Sequence, residues 1–341
     1  MKQAGNSIFE IAKRKAINIS QENLVNVIYT EKGLVIIEPL VEGLELAAWA
    51  SANRMMIDAY RLKYGAILFR NFYIKSTADF ERMIEAVSDG WAQYREMATP
   101  RSHVGGNIYT STDYPANQVI FLHNENSHCT SWPLKIFFLC LNPASHGGET
   151  PIANCRDVFN RLDLKVRNRF VEKKVMYVRN FGGHLGFSWQ TVFQTTDKAA
   201  VEKYCKDNSM DATWSKHDRL RIRYVRPAVA RHPETGEMVW FNHATFFHCS
   251  TLNAEVRRML LTELSEEDLP YNTYYGDGSA IEPSVLDKLR EVYEQATIIF
   301  QWQKGDVLML DNMLMAHGRS SYEGSRKVVV GMAEPYFSEN S

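Results

Sequence analysis

The stretch Phe121-Leu122-His123-Asn124-Glu125-Asn126-Ser127 decides how this chain is read. It sets an imidazole and a carboxylate two residues apart at the end of an apolar run. On an extended strand positions i and i+2 share a face, so His123 and Glu125 can converge on one metal while Asn124 points away. A third candidate comes much later: Gly305-Asp306-Val307-Leu308-Met309-Leu310-Asp311-Asn312 reads as a turn and a strand, with His317, Gly318 and Arg319 just beyond it. Two histidines and one carboxylate are the facial set of non-haem Fe(II) oxygenases, which leaves metal positions open for a co-substrate and oxygen. An isolated H-x-E pair is more often an exposed strand pair, so its weight comes from the rest of the sequence.

With 341 residues, 45% of them hydrophobic, the chain can bury a substantial core, and it reads as one large globular domain. The formal net charge of -1, with no block of like charge, gives no electrostatic case for nucleic acid or an anionic membrane. Small-molecule chemistry fits better. Met1 to Ser20 has no apolar leader, and no stretch approaches the roughly twenty apolar residues of a membrane span, so a cytoplasmic protein is expected. Cys129, Cys140, Cys155, Cys205 and Cys249 are odd in number and include no C-x-x-C pair. They read as reduced, mostly buried thiols rather than a disulfide framework or a zinc knuckle.

Elsewhere the pattern is α/β at first and β later. Leu34-Val35-Ile36-Ile37 predicts a strand, Leu44 to Tyr64 a helix, Gly65 to Phe72 a strand, and Thr77 to Val87 a helix capped by Ser76 or Thr77. Residues 100 to 120 are turn-rich, as suits a loop leading to a site. Leu134 to Leu141 is a β-branched and aromatic run, and Gly147-Gly148-Glu149-Thr150 turns into Pro151-Ile152-Ala153. Val158 to Lys174 and Ile281 to Gln295 look helical, residues 181 to 250 show no clear periodicity, and Thr297 through Met332 returns to strands. Strands at both ends of the chain, carrying the ligands, are what a double-sheet jelly roll produces. The expected architecture is mainly β with flanking helices, a single domain over 1–341. Its core strands fall at about 30–160 and 296–335, and an insertion at about 160–295 lids the site. Neither phosphate-cradling glycine motif is present, so a dinucleotide-binding fold is disfavoured.

These residues resemble the taurine dioxygenase-like (TauD/TfdA) family of Fe(II)/2-oxoglutarate-dependent dioxygenases, and within it the syringomycin-biosynthesis hydroxylase-like subgroup. The resemblance rests on Tyr109-Thr110-Ser111-Thr112-Asp113-Tyr114-Pro115, His123-Asn124-Glu125, Trp132-Pro133, Gly147 to Pro151, and His317-Gly318-Arg319 with Arg326 beyond, and it covers roughly residues 60 to 335. It implies Fe(II) held by His123, Glu125 and His317, with 2-oxoglutarate gripped at its distal carboxylate by Arg326 and Thr150. Independently, a guanidinium fork matches a carboxylate bidentately, which suits Arg326 to that task. The implied reaction uses O2 to oxidise an unactivated C–H bond, releasing succinate and CO2. The position where taurine dioxygenase carries its sulfonate-binding arginine is Val330 here, so taurine is not expected. Glu125 is a carboxylate where the halogenating relatives have none, which favours hydroxylation or a related oxidation. The resemblance implies an amino acid or amino-acid-derived substrate, free or on a peptidyl carrier protein, in specialised metabolism such as antibiotic biosynthesis, and a homo-oligomeric enzyme.

Asn107, Thr110, Ser111 and Arg319 are candidates for substrate contact, although turn closure and a structural salt bridge explain them equally well. His103, His128, His146, His243 and His248 read as packing or supporting histidines, because no carboxylate converges on them. A non-catalytic sensor that binds metal or a 2-oxo acid is the alternative, disfavoured by the complete triad with its arginine. A zinc hydrolase would show H-E-x-x-H on a helix, which is absent.

Overall fold

Strand Ser131–Asn142 is the spine of the molecule, because it lies antiparallel between Val307–Asp311 on one side and Lys327–Phe337 on the other. The computed structural model describes residues 24–92, 101–182 and 186–338. Beyond Val307–Asp311 the sheet continues through Ala66–Phe69, Val35–Pro39 and Val25–Tyr29, and beyond Lys327–Phe337 through Ile108–Thr110 and His103–Gly105. Alternation along the spine divides the core into two layers. Phe137 and Leu139 meet Trp49, Ile57, Phe80, Met83 and Ile84 in the layer formed with helices Leu46–Ala52, Arg54–Tyr64 and Thr77–Val87. Ile136, Phe138 and Cys140 join the opposite layer, with Leu122, Ile152, Ala153, Met315 and Ala316. Those last residues belong to a second sheet, Thr297–Ile298, Ile152–Asn154, Met315–Arg319 and Ile120–His123 in that order. The two sheets make the expected double-stranded β-helix.

The expected helix Leu44 to Tyr64 breaks at Asn53, whose side chain donates to the Trp49 carbonyl. Val158 to Lys174 likewise parts into Cys155–Arg161 and Leu164–Lys173, because Asp163 caps a new start by accepting from the Lys165 and Val166 amides. Thr77–Val87 forms as expected, with Ser76 and Asp79 in a reciprocal capping box. Residues 175–275 carry an ordered four-stranded sheet of Asp211–Ser215, Arg219–Arg226, Val175–Phe181 and Tyr271–Tyr275. Its interior residues Tyr177, Ile222, Tyr224 and Tyr275 are continuous with the jelly-roll core.

None of the five cysteines is in a disulfide, and all are buried. Among the described residues no helix is long and apolar enough to cross a membrane, and Met1 to Ser20 lies outside them.

Candidate metal centre

Strands Ile120–His123 and Met315–Arg319 pair antiparallel with His317 directly opposite His123, which brings the two ring centroids to 4.6 Å. Gly318 permits this approach: a Cβ there would sit 2.6 Å from the Ile120 carbonyl oxygen. The strand ends at His123, so Glu125 stands in the following turn and not on the extended strand expected from the H-x-E spacing. It still converges. One ligand atom from each of His123, Glu125 and His317 lies within 4.8 Å of the others, and all three residues are buried.

The turn is held by Asn312. Its side-chain oxygen accepts from the Glu125 amide at 2.8 Å, and its Nδ2 donates to the Glu125 and Pro133 carbonyls at 2.9 Å each. Asn124 faces the other way, donating to the Asn312 carbonyl at 2.6 Å and to Cys155 Sγ. The neighbouring Asp311 belongs to a buried ionic cluster. It accepts from Arg61 at 2.5 Å and from His232 Nε2 at 3.1 Å, while Arg61 also reaches Glu234 at 2.9 Å. His232, Glu234 and Asp311 also lie close enough to hold an ion, but the Arg61 guanidinium already supplies their cation. Burial would raise the Asp311 carboxyl, yet His232, Arg61 and the Leu314 amide hold it below the ordinary range.

The ligand set fits a divalent transition metal. His123 Nδ1–H donates to the Phe121 carbonyl at 2.9 Å, which leaves Nε2 with its lone pair. Burial pushes His123 and His317 below their ordinary pKa, so both are neutral, as metal binding requires. His317 Nδ1 is buried and has no hydrogen-bond partner among the described residues. Phe246 stacks on His123 with centroids 4.4 Å apart, and His243 donates from Nε2 to the Asn124 carbonyl at 2.9 Å.

Arg326 lines the same cavity as His123, His317, Thr150 and Ser111. Its Nε donates to the Gly148 carbonyl at 2.8 Å, while its Nη atoms reach Ser111 Oγ and Thr150 Oγ1 only at 3.4 Å each. No carboxylate among the described residues pairs with it. Burial, and then Arg319, pulls its pKa down to about 10, so it remains charged at neutral pH. Gly148 has a positive φ of 74°, and a Cβ there would crowd Arg326 Cδ at 3.0 Å. Thr150 Oγ1 accepts from Trp302 Nε1 at 3.1 Å, which leaves its hydroxyl hydrogen to donate elsewhere.

Of the other sequence candidates, Ser111 and Arg319 line the cavity. Arg319 forms no salt bridge among the described residues: it donates to the carbonyls of Tyr114, Pro115 and Gln118 at 2.5–2.8 Å and so ties down that loop. Asn107 is exposed in a turn where its amide donates to Glu81, and Thr110 accepts from the Ser102 amide; neither lines the cavity. The sequence reading missed Arg101, which donates to Glu125 Oε2 at 2.6 Å, and Trp302. No motif marks Arg101, which lies in the turn-rich stretch before His123.

A jelly roll with two cross-strand histidines and a half-buried arginine on one cavity, and a glutamate converging on those histidines, is matched over residues 36–332 by the model of the taurine catabolism dioxygenase TauD, TfdA family. The chain belongs to that family. The expected class, an Fe(II)/2-oxoglutarate-dependent dioxygenase using O2, therefore stands. Relatives of this family member include the dapdiamide synthesis protein DdaC of Enterobacter agglomerans, 38% identical over 82% of this chain and 85% of that one. A clavaminate synthase-like protein of Arabidopsis thaliana is 27% identical over 82% and 84%. The fold is shared with PvcB of Pseudomonas aeruginosa, an Fe, α-ketoglutarate-dependent oxygenase from an isonitrile synthetic pathway, at a TM-score of 0.54, 14% identity and 94% coverage of both chains.

Proposed function

We propose that this dioxygenase oxidises an unactivated C–H bond of an amino-acid-derived small molecule in specialised metabolism, with His123, Glu125 and His317 holding Fe(II) and with Arg326 and Thr150 holding 2-oxoglutarate. The observation that carries the assignment is the convergence of three buried residues, His123, Glu125 and His317, beside a cavity that both histidines line together with Arg326, a guanidinium with no carboxylate partner among the described residues. Similarity to a dapdiamide synthesis protein supports the metabolic setting. The substrate is free or carried on a peptidyl carrier protein.

Iron bound here supplies the oxidising chemistry, coupling the decarboxylation of 2-oxoglutarate by O2 to oxidation of the substrate. The chain's own part is positioning. The Phe121 carbonyl orients His123, Asn312 fixes the backbone of Glu125, and the cross-strand register sets His317. Arg326 Nη1 and Nη2 present a fork to the distal carboxylate, and the Thr150 hydroxyl donates to the same group. Phe138, in the cavity wall, and Phe246, on the His123 ring, keep water from the metal side of the cavity.

The test is an anaerobic titration of the protein with Fe(II) and 2-oxoglutarate, monitoring the weak visible charge-transfer band of an iron-bound 2-oxo acid. The band is expected in the wild type and lost in His317→Ala. Iron that binds without the band on adding 2-oxoglutarate would refute the proposal.

A further inference from the structure

Glutamate is a longer arm than aspartate, and the extra rotatable bond matters at a metal. A free glutamate can swing away, or it can turn both oxygens onto the ion. Glu125 is not free in this way. Its Oε2 accepts from Arg101 at 2.6 Å, and both side chains are nearly fully buried, at 3% and 4% exposure. Asn312 fixes the Glu125 backbone and Arg101 engages one carboxylate oxygen, Oε2, so Oε1 is the oxygen that this ion pair leaves for a metal.

We propose that Arg101 is a positioning residue that makes Glu125 a one-oxygen ligand and so keeps a coordination position for the co-substrates. The inference rests on the metal assignment above. An octahedral ion has six positions. Two imidazoles and one carboxylate oxygen use three, a chelating 2-oxo acid uses two, and one remains for oxygen. A glutamate bound through both oxygens would use the position that oxygen or the 2-oxo acid needs. Arg101 is suited to prevent this, because a guanidinium is always charged and directional, and its bond to a carboxylate is of the short, strong kind. Its positive charge also opposes the incoming cation, so it trades some metal affinity for an open face.

The test uses the full-length protein, with Mn(II) alone and then 2-oxoglutarate as probes, comparing the wild type, Arg101→Gln and Arg101→Lys. Mn(II) is expected to bind Arg101→Gln as tightly as the wild type or more tightly, by up to roughly tenfold, since a repelling charge is gone and a second oxygen is released. 2-Oxoglutarate is expected to bind the Mn(II)-loaded Arg101→Gln protein at least roughly tenfold more weakly. Arg101→Lys should recover most of that loss, because an ammonium can also hold Oε2. The opposite signs separate this role from a general loss of structure, which would weaken both. If both affinities fall together, or if neither changes, the proposal is overturned. Its failure is distinguishable from failure of the metal assignment: His317→Ala with wild-type Mn(II) affinity would overturn the metal centre whatever Arg101 does.

Discussion

Replacing Arg326 by glutamine tests the co-substrate pocket most directly. Only the Nε bond to the Gly148 carbonyl, at 2.8 Å, is short; the Nη contacts to Ser111 and Thr150 are 3.4 Å each. Nε thus anchors the side chain while the two outer nitrogens are barely used, so an arriving carboxylate gains two charge-assisted hydrogen bonds. Each is worth about 1.5–3 kcal/mol, and a glutamine amide would keep one neutral bond of about 1 kcal/mol. The net loss is about 2–5 kcal/mol, or roughly thirty- to several-thousand-fold in affinity for 2-oxoglutarate. The assay is titration of the Mn(II)-loaded protein, followed by kcat and KM for 2-oxoglutarate at saturating iron. KM should rise far more than kcat falls, because the removed contact holds the end of the molecule that does not react. The orphaned Gly148 carbonyl would cost about 1 kcal/mol of stability, which a thermal melt separates from the binding effect. A folded variant that binds 2-oxoglutarate within about threefold of the wild type would refute the assignment of Arg326.

His317→Ala should abolish substrate-dependent succinate release together with stoichiometric metal binding, and retention of both would exclude His317 as a ligand. Asn312→Ala strands the Glu125 amide and two carbonyls, so a loss of about 2–4 kcal/mol is expected by denaturant titration, along with weakened metal binding; an unchanged midpoint would show that the clasp contributes nothing. Asp311→Asn removes the buried carboxylate from Arg61, which keeps Glu234 and Asp58, and should cost about 1.5–3 kcal/mol. Because the folded Asp311 carboxyl titrates below its unfolded value of about 3.9, its contribution is complete above that pH and is lost as the pH falls further. Wild-type stability should therefore drop more steeply on acidification below about pH 4 than that of Asp311→Asn, and parallel curves would contradict the assignment. Gly318→Ala places a methyl 2.6 Å from the Ile120 carbonyl and should separate the His123 and His317 strands, destabilising by about 1–3 kcal/mol and lowering Mn(II) affinity.

The trio that the fold brings together could be singled out in the sequence because metal chemistry demands particular side chains, and His123, Glu125 and His317 stand in segments whose composition is that of strands and turns. The jelly roll followed from where those segments fall in the chain. Local signals also sufficed for Thr77–Val87, whose cap lies within its own sequence, but not for the breaks at Asn53 and Asp163, which interrupt otherwise continuous apolar patterns. The sheet at 175–275 was missed although Arg219 to Tyr224 alternates charged with apolar or aromatic residues, a period-two signal short enough to be lost among the surrounding irregular segments. Arg101 and Trp302 were not readable at all. Their contacts with Glu125 and Thr150 join residues far apart in sequence, and nothing in the neighbourhood of either announces it.

The position of strand Ser131–Asn142 has a consequence for how the molecule comes to exist. Both of its partners, Val307–Asp311 and Lys327–Phe337, are made at the other end of the chain. At ~5–20 residues per second, a ribosome takes on the order of ten to forty seconds to go from one to the other. Throughout that interval the apolar row from Ile136 to Leu141 has neither of its final neighbours. Such non-local pairing makes slow folding and a demand for chaperone protection the natural expectation. The same arrangement makes the last strand indispensable: a nascent or truncated chain ending before Lys327 would lack one side of its central strand and would be a target for degradation and not a weaker enzyme.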